Sequence, residues 1–347
     1  MLGLKVPKAH AEDLKVYLKN KNLSDDRYRI FERNGFIYFP ISSKPSQTAL
    51  SLIENRFKAS LSDTSFEGFK PNSAYREMLL KKTGKKAYDS ISKGYDLFGN
   101  IAVIDAEGSA AKKAAAVIMG INKNVKTVLS KAGAVSGKYR TRKYSYVAGE
   151  ENYIATYKEN GCTFSFDIRK TFFSTRLSFE RNRLCELVAP RENVVVMFAG
   201  IGPFAIEIAK KHPETKVIAI ELNKNACKYL SQNIKLNKVG NVIAELGDVK
   251  KFSKKYRGFA DRIIMPLPRD SYAFMEPALS MAKRKSTIHY YAFAGAADPF
   301  NEHIAPIKRF LATKKASMAV SSKRIVRSYS PTEVEIVLDM KVRKPKA

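Results

Sequence analysis

The chain has 347 residues, 45% of them hydrophobic, and carries 62 Lys and Arg against 33 Asp and Glu, a formal net charge of +29. That length exceeds one ordinary core and implies two or three domains, while the apolar share excludes disorder throughout. The charge surplus repels itself in a compact state and suits a polyanionic partner, nucleic acid ahead of an anionic membrane, and no apolar run reaches the roughly 18 residues that a membrane span needs.

The N-terminal stretch MLGLKVPKAHAEDLK lacks the apolar core and cleavage site of a signal peptide, so a cytoplasmic protein without membrane contact is expected. Residues 8–20 have helical spacing, with Leu14, Tyr17 and Leu18 on one face. Residues 31–41 read as a hairpin around Asn34-Gly35, a strong turn pair. Residues 1–42 therefore form a small α+β domain, and 43–59, opening with Ser42-Ser43-Lys44-Pro45-Ser46, read as a linker. A second α+β domain is expected over 60–185. It holds a strand at 95–105, an Ala- and Lys-rich helix at 109–121, a basic segment from Gly137, and a strand pair flanking Glu159-Asn160-Gly161. From 186 to 347 five apolar strands alternate with helices (VVVMF, KVIAIE, NVIAEL, DRIIM and TIHYYAF) before two closing strands joined at Ser330-Pro331. Such alternation specifies an α/β, Rossmann-like domain with a mostly parallel sheet and an antiparallel last strand. Cys162, Cys185 and Cys227 form no CxxC, and the histidines (His10, His212, His289 and His303) show no ligand spacing. Neither a disulfide nor a bound metal is expected.

Ligands of open α/β sheets bind beyond the carboxyl ends of the strands. The first strand of this block ends in Phe198-Ala199-Gly200-Ile201-Gly202, two glycines where a dinucleotide fingerprint has three. An adenosine cofactor without a pyrophosphate, S-adenosyl-L-methionine, fits that turn better than NAD. The second strand ends in Glu221-Leu222, a carboxylate for the ribose hydroxyls. The third leads to Asp248-Val249, placed for the adenine amino group, and the fourth to Pro266-Leu267-Pro268, a rigid apolar lip. Just before this domain, residues 172–181 read FFSTRLSFER. Arg176 and Glu180, four apart, share a helix face, which is usually a surface ion pair but also suits a carboxylate that deprotonates a nucleobase beside phosphate-binding arginines. Gly137-Lys138-Tyr139-Arg140-Thr141-Arg142 interleaves cations and aromatics, a pattern shared by RNA-binding surfaces and by solvated strands.

FAGIGPF (198–204), FFSTRLSFER, KNVKTVLSKAG (123–133) and GKYRTRKYSYVAGE (137–150) together resemble the archaeal/eukaryotic-type tRNA guanine-37 N1-methyltransferases, over nearly the whole length. The resemblance implies three domains: one reading the tRNA elbow, one helping to bind the anticodon stem-loop, and a methyltransferase domain. It implies an enzyme that modifies N1 of the guanosine 3′ of the anticodon; a monomer is expected because nothing in the sequence requires a dimer. Glu180 falls at the family's proposed general base, with Arg181 beside it, and Arg140, or alternatively Arg142, at the arginine that supports the base and its O6. Phe198, Ala199, Gly200, Gly202, Glu221, Leu222, Asp248, Val249, Pro266 and Pro268 fall at cofactor contacts, and Phe172, Arg176, Arg142 and Pro266 lie toward the substrate. The chain departs from the family where members usually carry Asn-Leu-Pro: here Pro266 replaces the asparagine. Pro-Leu-Pro resembles an archaeal branch that also methylates C7 of the wyosine precursor 4-demethylwyosine. Two rival readings are an aminocarboxypropyl transferase of wyosine biosynthesis, which shares the cofactor, and a non-catalytic RNA-binding protein.

Overall fold

The computed structural model describes all residues except 22, 26–27, 29, 67–72, 90–93, 135, 331 and 346–347, so Pro331 of the expected closing turn lies outside the described residues. Two compact units emerge, one of residues 1–71 with 292–305 and 322–338, the other of 72–291 with 306–321 and 339–347.

The N-terminal elements are β1 (Leu2–Pro7), α1 (Ala11–Asn20), β2 (Phe31–Arg33), β3 (Phe36–Pro40), α2 (Gln47–Phe57) and β4 (Ser60–Asp63). The strands lie in the order β2-β3-β1-β4, all antiparallel, a βαββαβ arrangement of ferredoxin-like type. Asn34 and Gly35 turn the β2–β3 hairpin with φ of 53° and 76°. The segment expected to be a linker, 43–59, instead contains α2. Ser46 caps this helix by accepting from the Ala49 N–H at 3.3 Å, and Ile53 and Phe57 join Leu4, Leu14, Leu18 and Phe39 in one core. Because β4 pairs with β1, the first sheet is complete only at Asp63, and no packing edge falls at 42.

The second unit opens with α3 (Ser73–Thr83) and α4 (Lys85–Asp89). There follow β5 (Asp96–Phe98), β6 (Ile101–Ile104), α5 (Gly108–Ile121), β7 (Thr127–Lys131) and β8 (Tyr144–Gly149). The single strand expected over 95–105 is a hairpin, because Gly99 at φ 61° reverses the chain between β5 and β6. The alanine-rich face of α5 packs Ala111, Ala114, Ala115 and Ile118 against Ala102, Ile104 and Val128.

β9 (Ile154–Glu159) and β10 (Cys162–Asp167) form the expected hairpin, followed by α6 (Ser178–Leu187). The remaining elements are β11 (Asn193–Met197), α7 (Pro203–Lys211), β12 (Lys216–Glu221), α8 (Lys224–Leu236), β13 (Val242–Leu246), α9 (Val249–Lys255) and β14 (Ala260–Met265). They continue with α10 (Met275–Met281), β15 (Ala282–Gly295), α11 (Asn301–Thr313), β16 (Ser317–Ser328) and β17 (Glu333–Arg343). The seven-stranded sheet has the order β13-β12-β11-β14-β15-β17-β16, with its first five strands parallel. β17 runs against β15: the Lys344 N–H bonds the Arg284 carbonyl while Asp339 stands opposite His289. The outer edge of β10 is closed by side chains rather than by a strand. Asn233 and Asn237, one turn apart on α8, accept the Ser165 and Thr163 N–H groups at 2.8 Å each, and Asn237 donates back to the Thr163 carbonyl. Asn233 also donates to the Ile201 carbonyl at 3.1 Å, so the hairpin is tied to the glycine turn. The expected boundary at 185 thus coincides with no packing edge, since β10 and α6 pack on α7 and α8. Among the described residues no helix is long and apolar enough to cross a membrane.

Candidate active site

Strand order reverses beside β11, and there the carboxyl ends of β11 and β12 meet. Phe198, Gly200 and Gly202 all take positive φ (55°, 59° and 95°), and Pro203 starts α7 at the position where a missing N–H costs least. The two glycines serve different needs. A Cβ on Gly202 would meet Leu230 Cδ1 at 2.4 Å and Ile206 Cδ1 at 2.9 Å, so both side-chain ends would have to shift to admit one. At Gly200 the only neighbour would be the Phe172 carbonyl at 3.8 Å, so the glycine is needed for its φ and leaves open space beside it. Glu221 closes the turn, accepting the Gly200 N–H on Oε2 and the Asn223 N–H on Oε1, both at 2.7 Å. Burial pushes its pKa up, opposed by the N–H groups of Asn223, Gly200 and Leu222. Asn223 caps α8 and donates to the Lys170 carbonyl at 2.8 Å.

The next two strand ends complete the edge. Gly247 at φ 148° donates its N–H to the Glu221 carbonyl at 2.9 Å, and Asp248 caps α9 through the Lys250 N–H, with Val249 buried beneath. After β14, Pro266 and Pro268 are half-buried, and the Ser271 hydroxyl donates to the Met265 and Leu267 carbonyls to hold the lip in shape. Phe198 and Phe274 pack edge to face at 4.7 Å, and Ala199 lies buried beside them in sequence. A carboxylate, a capping aspartate and an apolar lip at successive strand ends fit an adenosine group without phosphates, as S-adenosylmethionine carries.

The 172–181 segment lies against this edge, since the Phe172 carbonyl faces Gly200. Its ring, exposed to 41%, carries the Arg140 guanidinium at 5.4 Å from the centroid. Residues 32 positions apart in sequence are thereby brought together beside the glycine turn. Arg140 sits at φ 52° in a tight turn whose N–H bonds the Gly137 carbonyl, while Arg142 is half-buried two residues on. Arg176 does not share a face with Glu180. It precedes α6, in a single 3₁₀ turn over Thr175–Leu177, and pairs with Asp96 at 3.0 Å.

Glu180 is buried, and both its oxygens are engaged. Arg183 donates to Oε2 at 2.9 Å and to Oε1 at 2.7 Å, and the Tyr291 hydroxyl donates to Oε1 at 2.6 Å. Arg181 points elsewhere. It is 1% exposed, pairs with Glu159 at 2.7 Å and Glu207 at 3.4 Å, donates to the Ser174 carbonyl at 3.0 Å, and packs on Phe173. Arg181 therefore fixes the backbone of the segment and has no surface to offer a ligand. Neither Arg183, Tyr291 nor Asp339 was singled out from the sequence. The available signal was charge inside apolar strands, Asp339 in EVEIVLDMKV and His289 in TIHYYAF.

Comparison with known proteins finds three family models along the chain. Residues 155–321 match the TRM5/TYW2 methyltransferase domain, 3–49 the tRNA methyltransferase 5 N-terminal domain and 75–152 the TYW2 N-terminal domain. The tRNA (guanine(37)-N(1))-methyltransferase Trm5b of Pyrococcus abyssi is 35% identical over 344 residues, covering 98% of this chain and 99% of its own length. The chain belongs to the Trm5 family of tRNA methyltransferases. A second relative, the tRNA (guanine(37)-N(1))/4-demethylwyosine(37)-methyltransferase Taw22 of Nanoarchaeum equitans, is 31% identical over 251 residues, 58% of this chain and 84% of its own. A solved complex of aTrm5 with tRNALeu superposes with a TM-score of 0.67 at 31% identity, over 98% of this chain and 99% of that one. The Trm5 match extends through the N-terminal βαββαβ elements as well as the sheet that carries the glycine turn.

Proposed function

We propose that this chain is an S-adenosylmethionine-dependent tRNA methyltransferase acting on N1 of guanosine 37, with Glu180 as the group that takes the N1 proton. The observation that supports the reading is the contact of the Arg140 guanidinium with the ring of Phe172, a residue whose backbone carbonyl faces Gly200 of the cofactor turn. A base swung out of the anticodon stack needs such a ring to stack on and a cation for its O6. S-adenosylmethionine, when bound, supplies the methyl group. Glu221 would hold the ribose hydroxyls, Gly200, Gly202, Phe198 and Ala199 the close backbone approach, and Leu222, Asp248, Val249, Pro266 and Pro268 the adenine. Guanine N1 carries a proton and becomes nucleophilic on losing it. Glu180 accepts that proton, Arg140 offsets the negative charge growing on O6, and Arg142 and Arg176 draw in the RNA backbone. Arg181 acts from behind, by fixing the Ser174 carbonyl. The N-terminal βαββαβ elements read the tRNA elbow and residues 73–149 the anticodon arm, in a cytoplasmic monomer that uses no metal.

Glu180→Gln tests the assignment. The amide keeps the shape and loses the basicity, so single-turnover methyl transfer should fall about 10²–10⁴-fold with tRNA affinity nearly intact. An unchanged rate removes Glu180 from the role.

One observation favours a second activity on the same site. Pro266 brings no amide to the target base, so the lip makes no hydrogen-bonding demand that only guanine can meet. This supports methylation of C7 of 4-demethylwyosine at the same tRNA position in addition to N1 of guanosine.

A further inference from the structure

Glu180 belongs to a chain of buried charges that crosses the domain. Arg183, which grips Glu180 with two nitrogens, is shared with Asp339 at 2.7 Å on β17. Asp339 accepts from His289 Nδ1 at 2.6 Å on β15, and His289 Nε2 accepts from Arg262 at 2.7 Å on β14. Arg262 ends the chain on Glu192, at 2.6 and 2.9 Å, and on the Leu187 carbonyl. Two donors at its nitrogens would be incompatible with a carboxylate on one side and an arginine on the other, so His289 is the neutral tautomer protonated at Nδ1. Burial drives its pKa down, in the same sense. Burial alone would raise Asp339, but His289 and Arg183 together hold it well below the usual range.

Counting charges along the chain gives three carboxylates (Glu180, Asp339 and Glu192) against two guanidiniums (Arg183 and Arg262). The network therefore carries one uncompensated negative charge at rest and becomes neutral on taking up one proton. Arg183 is the pivot. When Glu180 is protonated, Arg183 still faces the Asp339 carboxylate, so no buried cation is left alone. We infer that Asp339, acting through Arg183, is a positioning residue that makes the Glu180 carboxylate a competent proton acceptor, and that the Tyr291 hydroxyl opposes it by stabilising the ionised form. The inference rests on the reading of Glu180 as the base. Other titratable groups near α6 pair elsewhere: Glu159 and Glu207 with Arg181, Arg176 with Asp96, Glu186 with Lys211, and His212 with the Cys185 carbonyl.

The test is the pH dependence of single-turnover methyl transfer to unmodified tRNA, from pH 5 to 9, for wild type, Asp339→Asn and Tyr291→Phe. Removing the Asp339 charge weakens the pull on the proton, so the acid limb should move to lower pH by about one unit and the plateau rate should fall. Removing the tyrosine hydroxyl should move the limb the other way. Shifts of opposite sign are what a merely structural role cannot give. Thermal stability and affinity for S-adenosylhomocysteine, measured alongside, separate folding damage from tuning. If Asp339→Asn does not fold, Asp339→Ser takes its place in the same test, because Tyr291→Phe reports on the tyrosine hydroxyl alone, and an acid limb that does not move down overturns the inference. Limbs that stay in place while rates fall equally at every pH overturn the inference. Should Glu180→Gln keep the wild-type limb and rate, the base assignment itself fails, a result distinguishable from failure of the Asp339 role.

Discussion

Glu207 on α7 is the perturbation with the clearest sign. Its carboxylate lies 3.4 Å from the Arg181 Nε, accepts from Asn160 Nδ2 at 2.7 Å, and shares its surroundings with Glu159. Burial raises its pKa to about 8, against the attraction of Arg181 and with the help of the Glu159 charge. The unfolded chain would hold this proton only below the ordinary glutamate value of 4.5. Between those values the folded state binds the extra proton, so stability falls as pH rises, and the cost is complete above about 8. From pH 6 to pH 9 that amounts to about 2 kcal/mol from this group alone. Glu207→Gln preserves the acceptor for Asn160 and abolishes the titration. Urea unfolding at both pH values should show the variant's stability relative to wild type rising by about 2 kcal/mol between pH 6 and pH 9. Comparing the two proteins cancels every other titrating group. If the variant instead loses stability at pH 9, the Arg181 attraction outweighs burial, Glu207 is ionised throughout, and the reasoning is wrong.

Gly202→Ala should cost about 2–4 kcal/mol, combining a left-handed φ with overlap against Leu230 and Ile206, and should weaken S-adenosylhomocysteine binding in calorimetry; a loss under about 0.5 kcal/mol would show that the turn can open to admit a methyl group. Incubation with tRNA bearing 4-demethylwyosine should yield a C7-methylated nucleoside by mass spectrometry beside N1-methylguanosine from unmodified tRNA, and its absence would restrict the Pro266 lip to guanine.

The C-terminal sheet was legible because each of its central strands is an apolar run between turn residues, and burial on both faces demands such runs. Glu221 and Asp248 were legible because they end those runs. Residues 43–59 were not, because serines and a proline stand before α2 and its buried Ile53 and Phe57 are only four apart. The Arg176–Glu180 pairing failed on helix phase: α6 begins at Ser178, so i,i+4 logic does not extend back to Arg176. Arg183, on the correct side at i+3, is also bound to Asp339, 156 residues away, and local spacing carries no trace of so distant a partner. Arg140 and Phe172 were each visible by residue type, whereas their meeting depends on how the chain returns from β10 to the glycine turn.

Arg181 and Arg183, two positions apart on α6, thus each meet two carboxylates. Arg181 is shared by Glu159 and Glu207, and Arg183 by Glu180 and Asp339. Buried ion groups of this kind rarely stabilise a fold beyond what apolar side chains of equal volume would do. What separates them is where the surplus negative charge goes. Around Arg181 it is removed at neutral pH by a proton resident on Glu207, which leaves a neutral anchor for the Ser174 carbonyl. Around Arg183 the Asp339 carboxylate is held ionised by His289 and the guanidinium, so the proton uptake proposed above falls to Glu180. On the proposed reading of Glu180, an anchor needs its proton already in place and an acceptor needs the vacancy, so two carboxylates beside one arginine serve opposite ends at Arg181 and at Arg183.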